Sequence, residues 1–493
     1  MQRQREYFGG GSVYGRLMLL VGLLFLGPLI VLPFYPDDRT YAPAFLLPAC
    51  ISVFLGFLVI AVTYRLQDKV FEYQAPVQMG SLPVLFVWFY SLLLGSIPFL
   101  FTRQLNFVQA LFESVSAWTT TSMTILDVAA LPHIFLFYRS YIQFFGGIGF
   151  ILVLSMFVRN RQTMTLYSAE GRTERVLPNV RRAARLIFLI YSIMIVVGSL
   201  LYRLAGVGLF EAICQTLSTV STAGSSTRAG GFAEYGSIAV ETITVVLMLI
   251  GASNFATLLV LTEGKAARVL KSTEVRFMFG LIALFIPLIA LSLHFGMGES
   301  LGLSIRQAVF GVISVLSTTG YSIGTHYTGW PAFALGLIVL LMLIGGSSGS
   351  TSGGIKLIRT YFVLRITRES VLRQMSSAIR TEAPTYNSVR EKVAIDRTLV
   401  ADTFAFVACY LGILIVGSLL MTLTASCTLF EGMFEFAAAL GTTGISIGLT
   451  NATTSAAALI VEMIGMILGR LEIFVVFFGI VSFGRQIKHI LPR

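Results

Sequence analysis

The chain has 493 residues, of which 56% are hydrophobic and only 12% charged, with a mean hydropathy of +0.83. Soluble domains carry about 25% charged residues, so a set of soluble domains is excluded and the composition is that of an integral membrane protein. The formal net charge is +11, from 35 Lys and Arg against 24 Asp and Glu, and its placement decides whether it marks a nucleic-acid partner or a membrane topology.

Two leading apolar runs, about 16–35 and 43–64, are long enough to span a bilayer. The first is expected to stay in the mature protein rather than act as a signal peptide, because many more spanning runs follow it. Four units of one design come next, each a span, a shorter apolar segment, a small polar loop and a second span. They fall at about 83–101, 107–118, 119–124 and 133–158; 185–206, 209–220, 221–226 and 238–262; 275–296, 303–316, 317–322 and 332–365; and 398–424, 428–440, 441–446 and 455–484. Ten spans result. The expected division is 1–78 for the leading pair, then pore units at 79–160, 161–264, 265–396 and 397–493.

Of the 35 basic residues, 28 fall in six segments: ahead of the first span, at Arg65 and Lys69, from Arg159 to Arg185, from Lys265 to Arg276, from Lys356 to Arg397, and at the C-terminus. These segments occupy every second connection, as the positive-inside rule expects of cytoplasmic loops. Both termini are then cytoplasmic, and the basicity reports topology rather than nucleic acid.

The four small loops share a signature, Thr-x-(Gly or Ser)-x-(Ser or Thr). The copies are Thr120-Thr121-Ser122-Met123-Thr124, Thr222-Ala223-Gly224-Ser225-Ser226, Thr318-Thr319-Gly320-Tyr321-Ser322 and Thr442-Thr443-Gly444-Ile445-Ser446. Their central positions recur at spacings of 102, 96 and 124 residues, and ten residues before them lie Phe112, Cys214, Phe310 and Phe434. The ~12-residue apolar segments are too short to cross a bilayer and read as reentrant helices, whose C-terminal partial negative charge favours a cation. Non-helical backbone at membrane depth must be buried in protein or line water, so the four loops are expected to meet on one pseudo-fourfold axis. A ring of backbone carbonyls there replaces a cation's hydration shell. Glycine at the centre permits positive φ without a Cβ clash, and the hydroxyls fix the loop or face the ion. The competing reading of small-residue clusters, close helix packing, accounts for any one loop better than for four in register.

The remaining chemistry-bearing residues are scattered. Cys50, Cys214, Cys409 and Cys427 stand singly and read as packing residues; His133, His294, His326 and His489 form no metal-ligand spacing. Glu113, Glu211 and Glu435 lie in the reentrant segments, where capping, solvation or an ion site are all open, and Asp127 follows the first loop toward the outer mouth. No nucleophile–base pair is visible, so no enzyme is expected. The stretch Gly345-Gly346-Ser347-Ser348-Gly349-Ser350-Thr351-Ser352-Gly353-Gly354 interrupts an apolar run and should unwind a helix in mid-membrane. It lacks the G-K-[ST] ending of a phosphate-binding loop, and no nucleotide is expected on this chain. Arg470 lies deep in the last apolar run, where an ionisable residue marks function by default; a structural pair with Glu462 or Glu472 is the alternative.

These residues resemble a pore-forming subunit of the Trk/Ktr/HKT superfamily of potassium and sodium transporters. The likeness covers about 83–485 and is carried by the four signatures, Arg139-x3-Gln143-x2-Gly146-Gly147-Ile148-Gly149, Gly251-x2-Asn254-Phe255, 345–354 with Ile355-Lys356, and Leu468-Gly469-Arg470-Leu471-Glu472-Ile473-Phe474. The two extra leading spans make it more similar to the Trk branch. The resemblance implies that 345–354 is an intramembrane gate beneath the filter, with Arg470 beside it. It also implies a homodimer with one pore per chain and a cytosolic nucleotide-binding (RCK-type) regulatory ring docked on the basic loops. Ser122 departs from four glycines. In the plant branch serine at this corner goes with sodium preference, so the resemblance implies that Ser122 loosens potassium selectivity.

The expected protein is thus an all-α polytopic membrane protein: four pseudo-symmetric span–reentrant helix–loop–span units around one pore, preceded by two extra transmembrane helices. Its expected activity is gated, channel-like uptake of K+ and/or Na+ across a bacterial or archaeal plasma membrane, driven by membrane potential. The alternative is an ion-coupled symporter (K+/H+ or K+/Na+) with alternating access, although such folds usually show inverted repeats.

Overall fold

The computed structural model describes residues 9–65, 81–149, 180–324, 327–375 and 384–490. The continuation of the first unit's second span to 158, most of the basic segment 159–185 and His326 lie outside the described residues.

The leading pair is α1 (Gly9–Leu26) and α2 (Ala42–Arg65). The first unit follows as α3 (Ser81–Leu100), α4 (Phe107–Trp118) and α5 (His133–Ile148). The second is α6 (Val180–Leu204), α7 (Leu209–Val220), α8 (Ile238–Gly251) and α9 (Phe255–Thr262). After the short α10 (Ala266–Lys271), the third comprises α11 (Thr273–Met297), α12 (Leu301–Leu316), α13 (Ala332–Ile344) and α14 (Leu357–Met375). A hairpin of β1 (Thr385–Asn387) and β2 (Lys392–Ala394), with Tyr386 opposite Val393, leads into the fourth: α15 (Arg397–Ala425), α16 (Leu429–Leu440), α17 (Ala456–Arg470) and α18 (Ile473–Ile490).

Among the described residues six helices are long and apolar enough to cross a membrane, and two further helix pairs qualify as bent spans. The apolar runs predict continuous second spans in the second and fourth units. They are instead bent by 106° and 101°. Tertiary contacts explain both breaks. Gly251 packs against the end of α7, where a Cβ would lie 2.7 Å from the Val220 carbonyl, and the Ala252 carbonyl accepts the N–H of Ser347 at 3.0 Å. Asn254 then restarts the helix, its Oδ1 accepting from the Ala256 N–H at 2.8 Å. Gly469 sits likewise against the Leu440 carbonyl, 1.9 Å from where a Cβ would stand, and Glu472 turns the chain at φ +58°.

The four reentrant helices are α4, α7, α12 and α16, each 12 or 16 residues long. Reciprocal capping boxes define the N-terminal ends of two of them, Asn106 with Gln109 at α4 and Thr428 with Glu431 at α16. Buried apolar clusters join neighbouring units in turn. One unites α1 and α2 with the first unit and reaches Ala439, Leu459 and Met466 of the fourth; a second joins the third and fourth; a third joins the second to Phe144 of the first and Phe310 of the third. The units therefore close a ring. Outward faces carry exposed Phe54, Val196, Phe295 and Leu423, as a lipid-facing surface requires. Cys214 is buried, but Cys50 lies on that outward surface rather than in the core, because it sits on the face of α2 turned from its neighbours.

Candidate functional site

The four signature loops leave the C-terminal ends of the four reentrant helices, so four partial negative charges converge on them. Each loop repeats one backbone conformation. Its first residue (Thr120, Thr222, Thr318, Thr442) has φ of +59°, +52°, +57° and +50°, and its third (Ser122, Gly224, Gly320, Gly444) has φ of +63°, +83°, +82° and +76°. Positive φ is costly for β-branched threonine. Fourfold recurrence of that strain is the mark of a built site.

Hydrogen bonds hold the conformation. The N–H groups of Thr121, Ala223, Thr319 and Thr443 all donate back to carbonyls inside the preceding helix, those of Ser116, Ser218, Ser314 and Ala438, at 2.8–2.9 Å. The carbonyls of Met123, Tyr321 and Ser225 accept from Ser116 Oγ, Ser314 Oγ and the Tyr321 hydroxyl, at 2.6, 2.8 and 3.2 Å. The glycines pack with no space for a side chain: a Cβ on Gly224 would stand 1.8 Å from the Thr319 carbonyl oxygen, on Gly320 1.9 Å from that of Thr443, and on Gly444 1.6 Å from that of Thr121. The second loop thus abuts the third, the third the fourth, and the fourth the first. Ala223 supplies its part through its backbone.

At the first corner Ser122 keeps the same backbone bond, N–H to the Ser116 carbonyl at 3.1 Å, and its hydroxyl accepts from Gln143 Nε2 of α5 at 2.9 Å. Among the described residues the hydroxyls of Thr120 and Thr442 are buried without a hydrogen-bond partner.

Glu113 and Glu435 occupy equal positions, nine residues before Ser122 and Gly444. Each anchors the chain beyond its loop. Glu113 Oε1 accepts from Thr124 Oγ1 (2.8 Å) and the Ile125 N–H (2.7 Å). Glu435 Oε1 accepts from Ser446 Oγ (2.6 Å) and the N–H groups of Ile447 (3.0 Å) and Leu449 (3.2 Å). Glu211 instead pairs with Arg228 at 2.8 Å, and Asp127 caps a short turn through the Ala129 N–H.

The stretch 345–354 breaks the helix between α13 and α14 and packs directly against the signature loops. Thr351 Oγ1 meets Thr222 Oγ1 at 3.1 Å, the Gly353 N–H donates to Thr318 Oγ1 at 2.9 Å, and Ser352 Oγ donates to the Ser317 carbonyl at 2.8 Å. A Cβ on Gly353 would fall 2.2 Å from Thr442 Oγ1. The stretch is closed on itself by Gly345, where a Cβ would meet the Gly353 carbonyl at 2.2 Å, and by the tight contact of Gly354 with Gly345. Its other side is tied down as well: Gly346 accepts from the Leu357 N–H (3.0 Å), Ser348 donates its N–H to Glu274 Oε1 (2.6 Å), Gly349 accepts from the Phe255 N–H (3.1 Å), and Ser350 Oγ donates to the Ser347 carbonyl (2.6 Å).

Arg470 reaches this stretch from the break between α17 and α18. Its Nη1 donates to the Thr351 carbonyl at 2.5 Å, and its Nη2 to the carbonyls of Gly146 (2.5 Å) and Gly147 (2.7 Å). Glu472 is engaged by Arg359 at 2.9 Å and Glu462 by Thr450 at 2.7 Å. A cavity of about 40 Å³ lies here, lined by residues that include Gly349, Ser352, Lys356 and Arg470. Three features escaped sequence reasoning: the strained threonines, the anchoring glutamates and the Gln143 contact. Of these, only the glutamates carried a signal, in their equal spacing from the loop centres.

Comparison with known proteins agrees with this architecture. A family model described as TrkH, cation transport protein, matches residues 52–482. The chain is 28% identical over 479 residues to the Trk system potassium uptake protein TrkG of Escherichia coli K12, covering 93% of this chain and 95% of that one. It is 27% identical over 468 residues to an uncharacterized cation transporter of Methanocaldococcus jannaschii, covering 94% and 92%. The crystal structure of the potassium transporter TrkH from Vibrio parahaemolyticus superposes with a TM-score of 0.82 at 26% identity, over 97% of this chain and 98% of that one. With a family match across most of its length and the same fold, the chain belongs to the TrkH family of membrane cation transport proteins.

Proposed function

We propose that this chain is a gated, channel-like uptake path for potassium, with or without sodium, through the plasma membrane. One observation carries the reading: four loops with the same two positive-φ positions and amides spent on their helices lie together, the second against the third, the third against the fourth and the fourth against the first, with no side chain at three of four corners. Carbonyls of Thr121, Ala223, Thr319 and Thr443, with the first threonines of each loop, supply a dehydrated cation's oxygen ligands. The unpartnered hydroxyls of Thr120 and Thr442 suit the same role. Relatives whose names carry potassium uptake support potassium as the cargo. Movement is inward along the membrane potential, where one charge gains ~2.3 kcal/mol per 100 mV.

In this reading 345–354 is the gate, a plug of backbone under the filter latched by Arg470. The assembly is a homodimer with one pore per chain, both termini are cytoplasmic, and a cytosolic nucleotide-binding ring of RCK type docks on the basic loops. The test is the bi-ionic reversal potential of purified protein in liposomes. Reversal at the potential set by K+ and Na+ gradients alone supports a pore; reversal that follows a proton or second-ion gradient would replace it with a symporter.

A further inference from the structure

The four-unit repeat makes Gln143 stand out. In three units a glycine of the second helix packs on the carbonyl that ends the reentrant helix: Gly146 on Trp118, Gly251 on Val220 and Gly469 on Leu440, where a Cβ would stand 2.0, 2.7 and 1.9 Å from the oxygen. Three residues before these glycines stand Gln143, Met248 and Met466, and the same offset from Gly345 in the third unit gives Met342. All three methionines are fully buried, and Gln143 is 1% exposed. The filter corners of the three methionine units are Gly224, Gly320 and Gly444. The corner of the glutamine unit is Ser122. Methionine thus goes with glycine three times, and glutamine with serine once.

Physical chemistry accounts for the pairing. Glycine holds positive φ without cost, whereas serine does not. Ser122 nevertheless sits at φ +63°, and its hydroxyl is joined to Gln143 Nε2 at 2.9 Å. An apolar methionine in place of Gln143 would take this donor from the part-buried hydroxyl and leave the strained corner held only by the Ser122 N–H bond to the Ser116 carbonyl.

We propose that Gln143 is a positioning residue of the filter. By fixing the Ser122 hydroxyl behind the loop, it keeps the first corner in the backbone conformation that glycine adopts unaided at the other three, and so sets cation selectivity. This deepens the filter reading above and rests on it. It also changes what the plant-branch likeness implies for this serine, because its hydroxyl is bonded to Gln143 of α5.

The experiment compares K+-to-Na+ permeability ratios, from bi-ionic reversal potentials in liposomes, for wild type, Q143M, S122A, S122G/Q143M and Gly320→Val. The first two variants cut the bond from opposite ends, so if one fails to fold the other still reads it. Each is expected to lower the ratio ~5-fold, the size of one hydrogen bond's effect on an equilibrium. S122G/Q143M reproduces the glycine–methionine pairing of the other units and is expected to recover the ratio to within about twofold of wild type. Unchanged ratios in both Q143M and S122A, with conduction lost in Gly320→Val, would overturn the positioning role and leave the filter standing. A double variant as poor as Q143M would also overturn it, since Gln143 would then act elsewhere than on Ser122. Wild-type conduction in Gly320→Val would remove the filter reading itself.

Discussion

Arg470 donates to the main-chain carbonyl of Thr351 across 119 residues of sequence, and the same guanidinium grips Gly146 and Gly147 at the end of α5. One side chain of the fourth unit therefore ties the broken helix of the third to the second helix of the first. Charged donors to buried carbonyls contribute ~1.5–3 kcal/mol each. Arg470→Ala is expected to release 345–354 and raise basal cation flux about tenfold in protein reconstituted without any partner. Flux at or below the wild-type level in a well-folded variant would show that the latch is structural and not a gate.

The glycine corners predict a different failure. A valine at Gly320 has to accommodate a Cβ 1.9 Å from the Thr443 carbonyl while holding φ +82°, which a β-branched residue adopts only under strain. Gly320→Val, and equally Gly224→Val or Gly444→Val, is expected to abolish flux while the protein still elutes as a folded species in detergent. The clash is confined to loops on the ring, whereas the helical core is untouched. Residual flux above about one-tenth of wild type for Gly320→Val is incompatible with a carbonyl ring at this position.

Asn254 offers a test of the bent second unit. Its side chain caps α9 through the Ala256 N–H, and the neighbouring Phe255 N–H is bonded to Gly349 of the 345–354 stretch. Asn254→Ala is expected to cost ~1 kcal/mol of stability, and to raise basal flux less than Arg470→Ala does. Asn254→Asp, which keeps an oxygen cap at a helix N-terminus, should melt close to wild type. Equal melting of Ala and Asp variants would place the cause of the bend elsewhere.

Much of this was legible in the sequence for one reason: the features are local. The reentrant helices 107–118 and 209–220 emerge where apolar segments are too short to span and are bounded by capping or hydroxyl residues, and the structure has them at Phe107–Trp118 and Leu209–Val220. The common conformation of the four loops was legible because one signature recurs four times. What was not legible depends on residues far apart in the chain. The bends after Gly251 and Gly469 arise from carbonyls of another helix pressing on glycines that sit in ordinary apolar runs. The partners of Arg470 lie 119, 323 and 324 residues away, so the sequence could place Arg470 beside 345–354 by resemblance but could not name its partners, and a pair with Glu462 or Glu472 stayed as the alternative. Strain at Thr120, Thr222, Thr318 and Thr442 runs against the intrinsic preference of threonine, which gives no local sign of it.

Glu435 yields the last prediction, because the sequence left it open between an ion site and an anchor. In the structure its Oε1 accepts from Ser446 Oγ, the Ile447 N–H and the Leu449 N–H, holding the chain directly beyond Gly444. It is fully buried in α16, so loss of the carboxyl leaves two main-chain N–H groups without an acceptor. Glu435→Ala is therefore expected to lower stability by ~2–3 kcal/mol and to reduce flux through a loosened fourth loop. Glu435→Gln retains an oxygen at the Oε1 position and should recover most of the stability, read as a thermal melt in detergent. An ion site differs in the K+ dependence: Glu435→Gln would require a several-fold higher K+ concentration for half-maximal flux, because the charge itself would be the ligand. A melt in which Ala and Gln variants both match wild type, with the concentration dependence shifted, would assign Glu435 to the ion. The anchoring role requires the separation of Ala from Gln in stability with the K+ dependence of the Gln variant unchanged.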